Sequence, residues 1–93
     1  MSTLKYYRVV DYPSGIEEVF YSEESAKQAA RGAAELIAAA VFSGRVLPCK
    51  SSVFPVGTPD YDGRWETIYS VFSAMTLVRT IKVIEEWLPH EQS

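Results

Sequence analysis

Carboxylates are the one abundant residue type in this 93-residue sequence that could do chemistry. Five of them lie in or beside an early segment: Asp11, Glu17, Glu18, Glu23 and Glu24. Two carboxyl groups can act as general acid and base when one of them is desolvated and its pKa is raised. Nothing in the sequence indicates a pocket that would do this. We therefore prefer a solvated acidic face, and a small acidic patch for a basic partner is the main alternative.

Other catalytic groups are scarce. Catalysis by a serine needs a base held against it, and the one imidazole, His90, lies near the end of the sequence. The single cysteine, Cys49, has no neighbouring His to lower its pKa. No glycine-rich phosphate loop is present. Residues 60–63 (Asp-Tyr-Asp-Gly) resemble the start of a calcium loop but lack its later ligands. We predict a protein that is not an enzyme and has no cofactor or metal.

Composition and charge restrict the class further. Hydrophobic residues make up 47% and charged residues 23%, which is typical of one globular domain spanning residues 1–93. A net charge of −3 argues against charge-driven binding of free nucleic acid. The longest nearly apolar run, residues 36–42, is too short to span a membrane, and the first residues lack the apolar core of a signal peptide. We expect a cytoplasmic protein with a reduced cysteine.

The first third of the sequence predicts a β-hairpin. Residues 4–12 and 16–21 are rich in aromatic and β-branched residues, which favour strands. Between them, Pro13-Ser14-Gly15 predicts a turn, because Pro fixes φ and Gly adopts a positive φ without steric cost.

A helix is predicted over residues 23–43. Ser22 is a good N-cap, two glutamates occupy the first turn, and Gly44 is a plausible stop. Apolar residues at helical spacing define a buried stripe: Ala26, Ala29, Ala30, Ala33, Ile37, Ala40 and Val41. The opposite face carries charge, and Arg31 and Glu35 are spaced to pair. Beyond residue 37 this polar face disappears. We prefer the interpretation that residues 45–57 wrap it, and contact with another chain is the alternative.

The rest of the sequence predicts further strands. Pro48 and Pro55 restrict residues 45–56 to an edge or irregular strand. Residues 57–63 are dense in turn formers and predict an exposed loop, followed by a strand over 64–73. Residues 76–87 fit either a helix or a strand, and their β-branched content favours a strand. The predicted fold class is α+β: a mostly antiparallel sheet of four to five strands with one long amphipathic helix packed on one face.

Two kinds of binding surface follow from this fold. Aromatic residues on the strands could stack RNA bases, which would make a small RNA-binding module, although the RNP signature is lacking and strand aromatics usually belong to the core. The preferred surface for a protein partner combines the exposed helix face with the long loop, because Arg and Tyr are frequent at interaction hot spots. The predicted partner-binding residues are Lys27, Arg31, Glu35, Asp60, Tyr61, Asp62 and Arg64.

The whole-chain character resembles a known group of proteins. A hairpin over 5–21, a helix over 22–44 and a segment over 64–87, in a short acidic chain without catalytic groups, are similar to the small phage-encoded anti-CRISPR proteins. The resemblance is to inhibitors of type I CRISPR surveillance complexes and rests on no shared motif. It implies a stoichiometric inhibitor in the host cytoplasm that binds Cas subunits, with contact to the guide RNA as an option, and blocks recognition of target DNA. An interaction protein with another target is the alternative.

Overall fold

A five-stranded antiparallel sheet with one helix on it forms the fold. The computed structural model describes residues 4–52, 57 and 64–88. The elements follow in the order β1 (Leu4–Tyr12), β2 (Glu17–Phe20), α1 (Glu23–Ala40), β3 (Gly44–Ser52), β4 (Trp65–Ser73) and β5 (Thr76–Leu88). The strands lie side by side in the order β2-β1-β5-β4-β3. The predicted α+β class is therefore confirmed.

The predicted hairpin is confirmed with a slightly shorter second strand. The amide of Asp11 donates a hydrogen bond of 2.9 Å to the carbonyl of Ile16, which closes the turn. Gly15 has a φ of 79°, the left-handed conformation that glycine adopts without penalty. The strand content of the last third is confirmed as well, because β5 is a 13-residue strand paired along most of its length with β1.

Helix α1 begins where the sequence predicts and ends three residues earlier. The Ser22 side chain accepts a hydrogen bond from the Ser25 amide at 3.3 Å, which is the expected N-cap. The helix ends at Ala40 rather than at residue 43, and Val41 is its C-cap. Gly44 is therefore not the helix stop. It is the first residue of β3, and a side chain there would overlap the backbone carbonyl of Ala38.

The buried side of α1 differs from the predicted stripe. Ala26, Ala30 and Ala34 are fully buried, whereas Ala33 and Ala40 are exposed. Alanines occupy most positions in the second half of the helix, so hydrophobicity alone does not distinguish its faces. The true contact is a single column at a spacing of four, packed against four side chains of the central strands: Tyr69, Val71, Ile81 and Val83.

Both edges of the sheet are poor sites for adding another strand. Strand β3 is an edge strand, as predicted, and carries Pro48, which has no amide to donate, and Lys50. The opposite edge, β2, is four residues long and begins with two glutamates. Residues 53–56 and most of the predicted loop lie outside the described residues. Over the described part of the chain, no helix is long and apolar enough to cross a membrane.

Candidate binding groove

A polar groove of about 250 Å³ lies where the sheet extends past the start of α1. Four strands and the first turns of the helix contribute residues to it. We call it the lysine groove. It is lined by Lys5 and Tyr7 from β1, Glu23 and Lys27 from α1, Lys50 from β3, Trp65 and Thr67 from β4, and Val83 and Glu85 from β5.

Three ammonium groups and two carboxylates set the electrostatics of the lysine groove. The Lys5 ammonium lies 2.9 Å from Glu85, and the Lys27 ammonium lies 2.9 Å from Glu23. The hydrogen bond from Lys27 lowers the pKa of Glu23, and the charges of Lys27, Lys50 and Lys5 lower it further. The hydrogen bond with Glu85 raises the pKa of Lys5. Among the residues that line the groove, lysines outnumber carboxylates by three to two.

Two aromatic side chains form the walls of the groove. Burial raises the pKa of Tyr7, and the nearby charge of Glu85 raises it further, so its phenol stays neutral and can donate a hydrogen bond. The Lys50 ammonium lies 5.4 Å from the centre of the Trp65 ring, within the range of a cation–π contact. Trp65 is 38% exposed, so part of its surface remains open to a ligand.

These groups are suited to holding an anionic group. Ammonium groups, a neutral phenol and the Thr67 hydroxyl can all donate hydrogen bonds, and a carboxylate or phosphate accepts several at once. The two carboxylates of the groove, Glu23 and Glu85, already accept hydrogen bonds from lysines, so neither is placed as a proton donor. The chemistry that the described residues of this groove support is binding.

The predicted helix residues lie at and beside the lysine groove. Lys27 lines it directly, and Arg31, one turn further along α1, lines a shallow depression next to it. Glu35 is exposed one turn beyond. The predicted ion pair between Arg31 and Glu35 is not among those formed by the described residues. Lys27 pairs with Glu23 instead.

Arg64 lies on the other side of the sheet. Its guanidinium lies 2.6 Å from Glu86, and Glu86 in turn lies 3.2 Å from Arg8. Successive strand residues alternate between faces, so Glu86 points away from the groove that Glu85 lines. The structure therefore separates Arg64 from the helix residues with which it was predicted to act. The three remaining predicted residues, Asp60, Tyr61 and Asp62, lie outside the described residues.

The five early carboxylates do not form one acidic patch. Asp11 pairs with Arg79, Glu17 with Arg8, and Glu23 with Lys27, each at 2.8–2.9 Å. Three of the five are thus neutralised by basic neighbours on three different elements. The preferred interpretation of solvated carboxylates is closer to the structure than a shared acid–base site.

The aromatic residues on and beside the strands are divided: Tyr7, Phe20 and Tyr69 belong to or pack on the core, whereas Tyr12, Tyr21 and Trp65 are exposed. Tyr69 is 4% exposed, and Tyr7 and Phe20 pack against the core cluster. On the helix-free face, Tyr12 is 41% exposed, but its ring lies against Lys82 and the same face carries Glu17, Glu66 and Glu86. These carboxylates pair with Arg8, Arg64 and Lys82 on the same face, so those cations are already engaged within the protein.

Of the nine residues that line the lysine groove, the sequence predicted only Lys27 as a binding residue; the missed polar and aromatic ones include Lys5, Tyr7, Lys50, Trp65, Thr67 and Glu85. The available signal is strand alternation, which places Lys5 and Tyr7 on the same face as Val9, a residue that packs against the core. A charged residue in line with core positions indicates that the helix does not cover that end of the strand. Comparisons of the chain with protein-family models, curated proteins and solved structures found no significant match.

Proposed function

We propose that this protein is a non-catalytic inhibitor that acts by occupying a surface of a larger assembly. The candidate target is a type I CRISPR surveillance complex, on the strength of the whole-chain resemblance to anti-CRISPR proteins. In this proposal the protein binds Cas subunits, either alone or together with the guide RNA, and thereby blocks recognition of target DNA. It works in the cytoplasm of the host cell.

The observation that carries the proposal is the lysine groove together with the adjoining helix face. The groove offers several hydrogen-bond donors around one cavity, and its charge is opposite in sign to the net charge of the chain. An anionic group of the target, either a carboxylate of a Cas subunit or a phosphate of the guide RNA, fits this chemistry. Arg31 extends the basic surface by one helical turn.

Placement on rigid elements also favours a binding role. Every described residue that lines the groove belongs to a helix or a strand, so little conformational freedom is lost when a partner binds. Trp65 and Tyr7 provide the aromatic surface that is common at interaction hot spots.

The proposal is tested by titrating purified protein into a purified type I surveillance complex and measuring its binding to labelled target DNA. We expect inhibition that is complete at a fixed ratio of protein to complex, as stoichiometric blocking requires. Arg31→Glu should weaken inhibition by about tenfold or more, because it reverses a charge at the interface. Arg31→Lys, which keeps the charge, is the control.

A separate measurement with isolated guide RNA distinguishes the two anionic sources. Binding to the complex without binding to RNA assigns the contact to a Cas carboxylate. Unchanged DNA binding by the complex at every ratio of inhibitor would rule out this target.

A further inference from the structure

Lys50 is the one lysine of the lysine groove that pairs with no carboxylate of the described residues. The groove lysines of α1 and β1 each lie 2.9 Å from a glutamate, whereas no ion pair within the described part of the chain involves Lys50. Its ammonium lies instead 5.4 Å from the centre of the Trp65 ring. An ammonium group has three hydrogen atoms to donate, so Lys50 can still donate to a bound anion.

Glu23 is the carboxylate on which the cations of the groove act together. It lies 2.9 Å from Lys27, and the hydrogen bond from Lys27 lowers its pKa. The charges of Lys50 and Lys5 lower the pKa of Glu23 further. These three lysines come from α1, β3 and β1 and line one cavity of about 250 Å³. An external anion in this cavity would meet the same cations and would therefore compete with Glu23.

The pair of Glu23 with Lys27 can open at little cost. The Glu23 side chain is 54% exposed and that of Lys27 is 34% exposed. An i,i+4 pair on a helix surface with this exposure contributes little to stability, because water can replace each partner. Glu23 also lies in the first turn of α1, where the helix dipole favours its negative charge whichever way the side chain turns. Glu23 can therefore turn toward solvent without loss of the helix.

The exchange of anions favours a phosphate monoester over a carboxylate. A carboxylate ligand would only replace the carboxylate of Glu23, which is tethered beside Lys27 and so has a high effective concentration there. A phosphate monoester carries a charge of about −1.5 to −2 at pH 7 and has three strong acceptor oxygens. The Tyr7 phenol and the Thr67 hydroxyl line the same cavity and can donate to oxygens that the lysines do not contact. The donors of the groove thus match a phosphate better than a carboxylate.

We propose that the lysine groove is a binding site for a phosphate monoester, and that the carboxylate of Glu23 occupies this site until the phosphate displaces it. The phosphate then pairs with Lys27 and Lys50, and Glu23 turns toward solvent. Glu23 determines specificity, because an anion with a single charge gains too little to replace it. In the proposed function, on which this inference rests, the group that the target contributes is then a terminal phosphate of the RNA and not a carboxylate of a Cas subunit.

The test is an NMR titration of the isotope-labelled protein with methyl phosphate and, separately, with acetate, at constant ionic strength. A pH of about 7.5 keeps the monoester in its dianionic form. We expect methyl phosphate to shift the amide signals of Lys27, Lys50 and Thr67 and to bind at least about fivefold more tightly than acetate. Equal affinity for the two anions, or signals of the groove that do not shift, would overturn the proposal.

Two substitutions in one helical turn separate the exchange with Glu23 from a change of net charge. Glu23→Gln removes the internal carboxylate and should tighten the binding of methyl phosphate by about fivefold. Glu24→Gln makes the same change in net charge, but Glu24 does not line the groove, so the affinity should change by less than about twofold. Weaker binding by Glu23→Gln would mean that this glutamate organises the lysines rather than competing for the site, and the proposal would fail.

A lysine substitution gives an independent measurement of the same site. Lys50 is exposed on an edge strand, so Lys50→Gln should leave the fold intact, which circular dichroism checks. We expect it to weaken the binding of methyl phosphate by at least about fivefold, while Lys82→Gln on the opposite face has no effect. Unchanged affinity in Lys50→Gln would contradict the site. These titrations use the protein alone, whereas inhibition of the surveillance complex is measured separately, so either result can fail without the other.

Discussion

The carboxylate of Asp11 accepts two hydrogen bonds from the guanidinium of Arg79, at 2.9 Å from Nε and 2.8 Å from Nη2. These residues are 68 positions apart and join the end of β1 to the start of β5. The two parallel bonds match the planar geometry of both groups. They fix the first hairpin against the central strand, so the pair should contribute to stability in a pH-dependent way.

The Asp11–Arg79 pair predicts a stability difference that disappears in acid. Hydrogen bonding to Arg79 lowers the pKa of Asp11 in the folded protein. Its contribution is therefore present above the unfolded pKa of about 3.9 and is lost as the pH falls through the lower folded value. Asp11→Asn should lower the Tm near neutral pH and have progressively less effect below about pH 3. Thermal unfolding of the wild-type protein and of Asp11→Asn across this pH range measures the difference in Tm. A Tm difference that persists undiminished in strong acid would contradict the assignment, and the exposed Glu18→Gln serves as control.

The buried side of α1 differs from the predicted stripe, and this predicts unequal effects of aspartate at Ala30 and Ala33. Ala30→Asp places an unpaired charge against the sheet and should lower the free energy of unfolding by about 3 kcal/mol. Ala33→Asp, on an exposed position, should change it by less than about 1 kcal/mol. Urea denaturation of both variants measures the difference. Equal losses would mean that the helix packs on the face that the alanine pattern predicts.

The fold was predictable to the extent that each element carries a local signal. Ser22 predicts the start of α1, Gly15 predicts the hairpin turn, and Pro48 predicts an edge strand, and the structure confirms all three. The buried face and the end of α1 were not predictable, since alanine is compatible with both core and surface. The interpretation that residues 45–57 wrap the second half of the helix is wrong for residues 45–52, which form β3 and leave Leu36 exposed.

The lysine groove depends on contacts that no local pattern encodes. Lys5 and Glu85 meet because β1 and β5 pair in one register, although 80 residues separate them. Their spacing in sequence gives no hint of this pairing. Lys27 was predicted because it lies on the polar face of a recognisable helix. Lys50 and Trp65 were not predicted as binding residues. A lysine on an edge strand and an aromatic residue within a strand are both common for purely structural reasons.

The close approach of β3 to the end of α1 predicts contrasting effects for two glycines. Gly44→Ala would place a methyl group on the Ala38 carbonyl, and the resulting shift of backbone should cost about 2 kcal/mol. Gly32→Ala, in the middle of α1 with open space around it, should stabilise the protein by about 0.5–1 kcal/mol through helix propensity. Chemical denaturation measures whether each substitution lowers or raises the free energy of unfolding. A harmless Gly44→Ala would show that the junction is looser than the structure describes.

Affinity for the purified surveillance complex, measured for two lysine variants, tests the binding role of the lysine groove most directly. Lys27 and Lys82 have similarly exposed side chains, 34% and 32%, and each makes one ion pair. They lie on opposite faces of the sheet, so Lys27→Gln removes a groove charge and Lys82→Gln is its matched control. We predict that Lys27→Gln weakens binding by about tenfold and that Lys82→Gln changes it by less than about twofold. Equal affinities for the two variants, or no binding of the wild-type protein, would contradict the account.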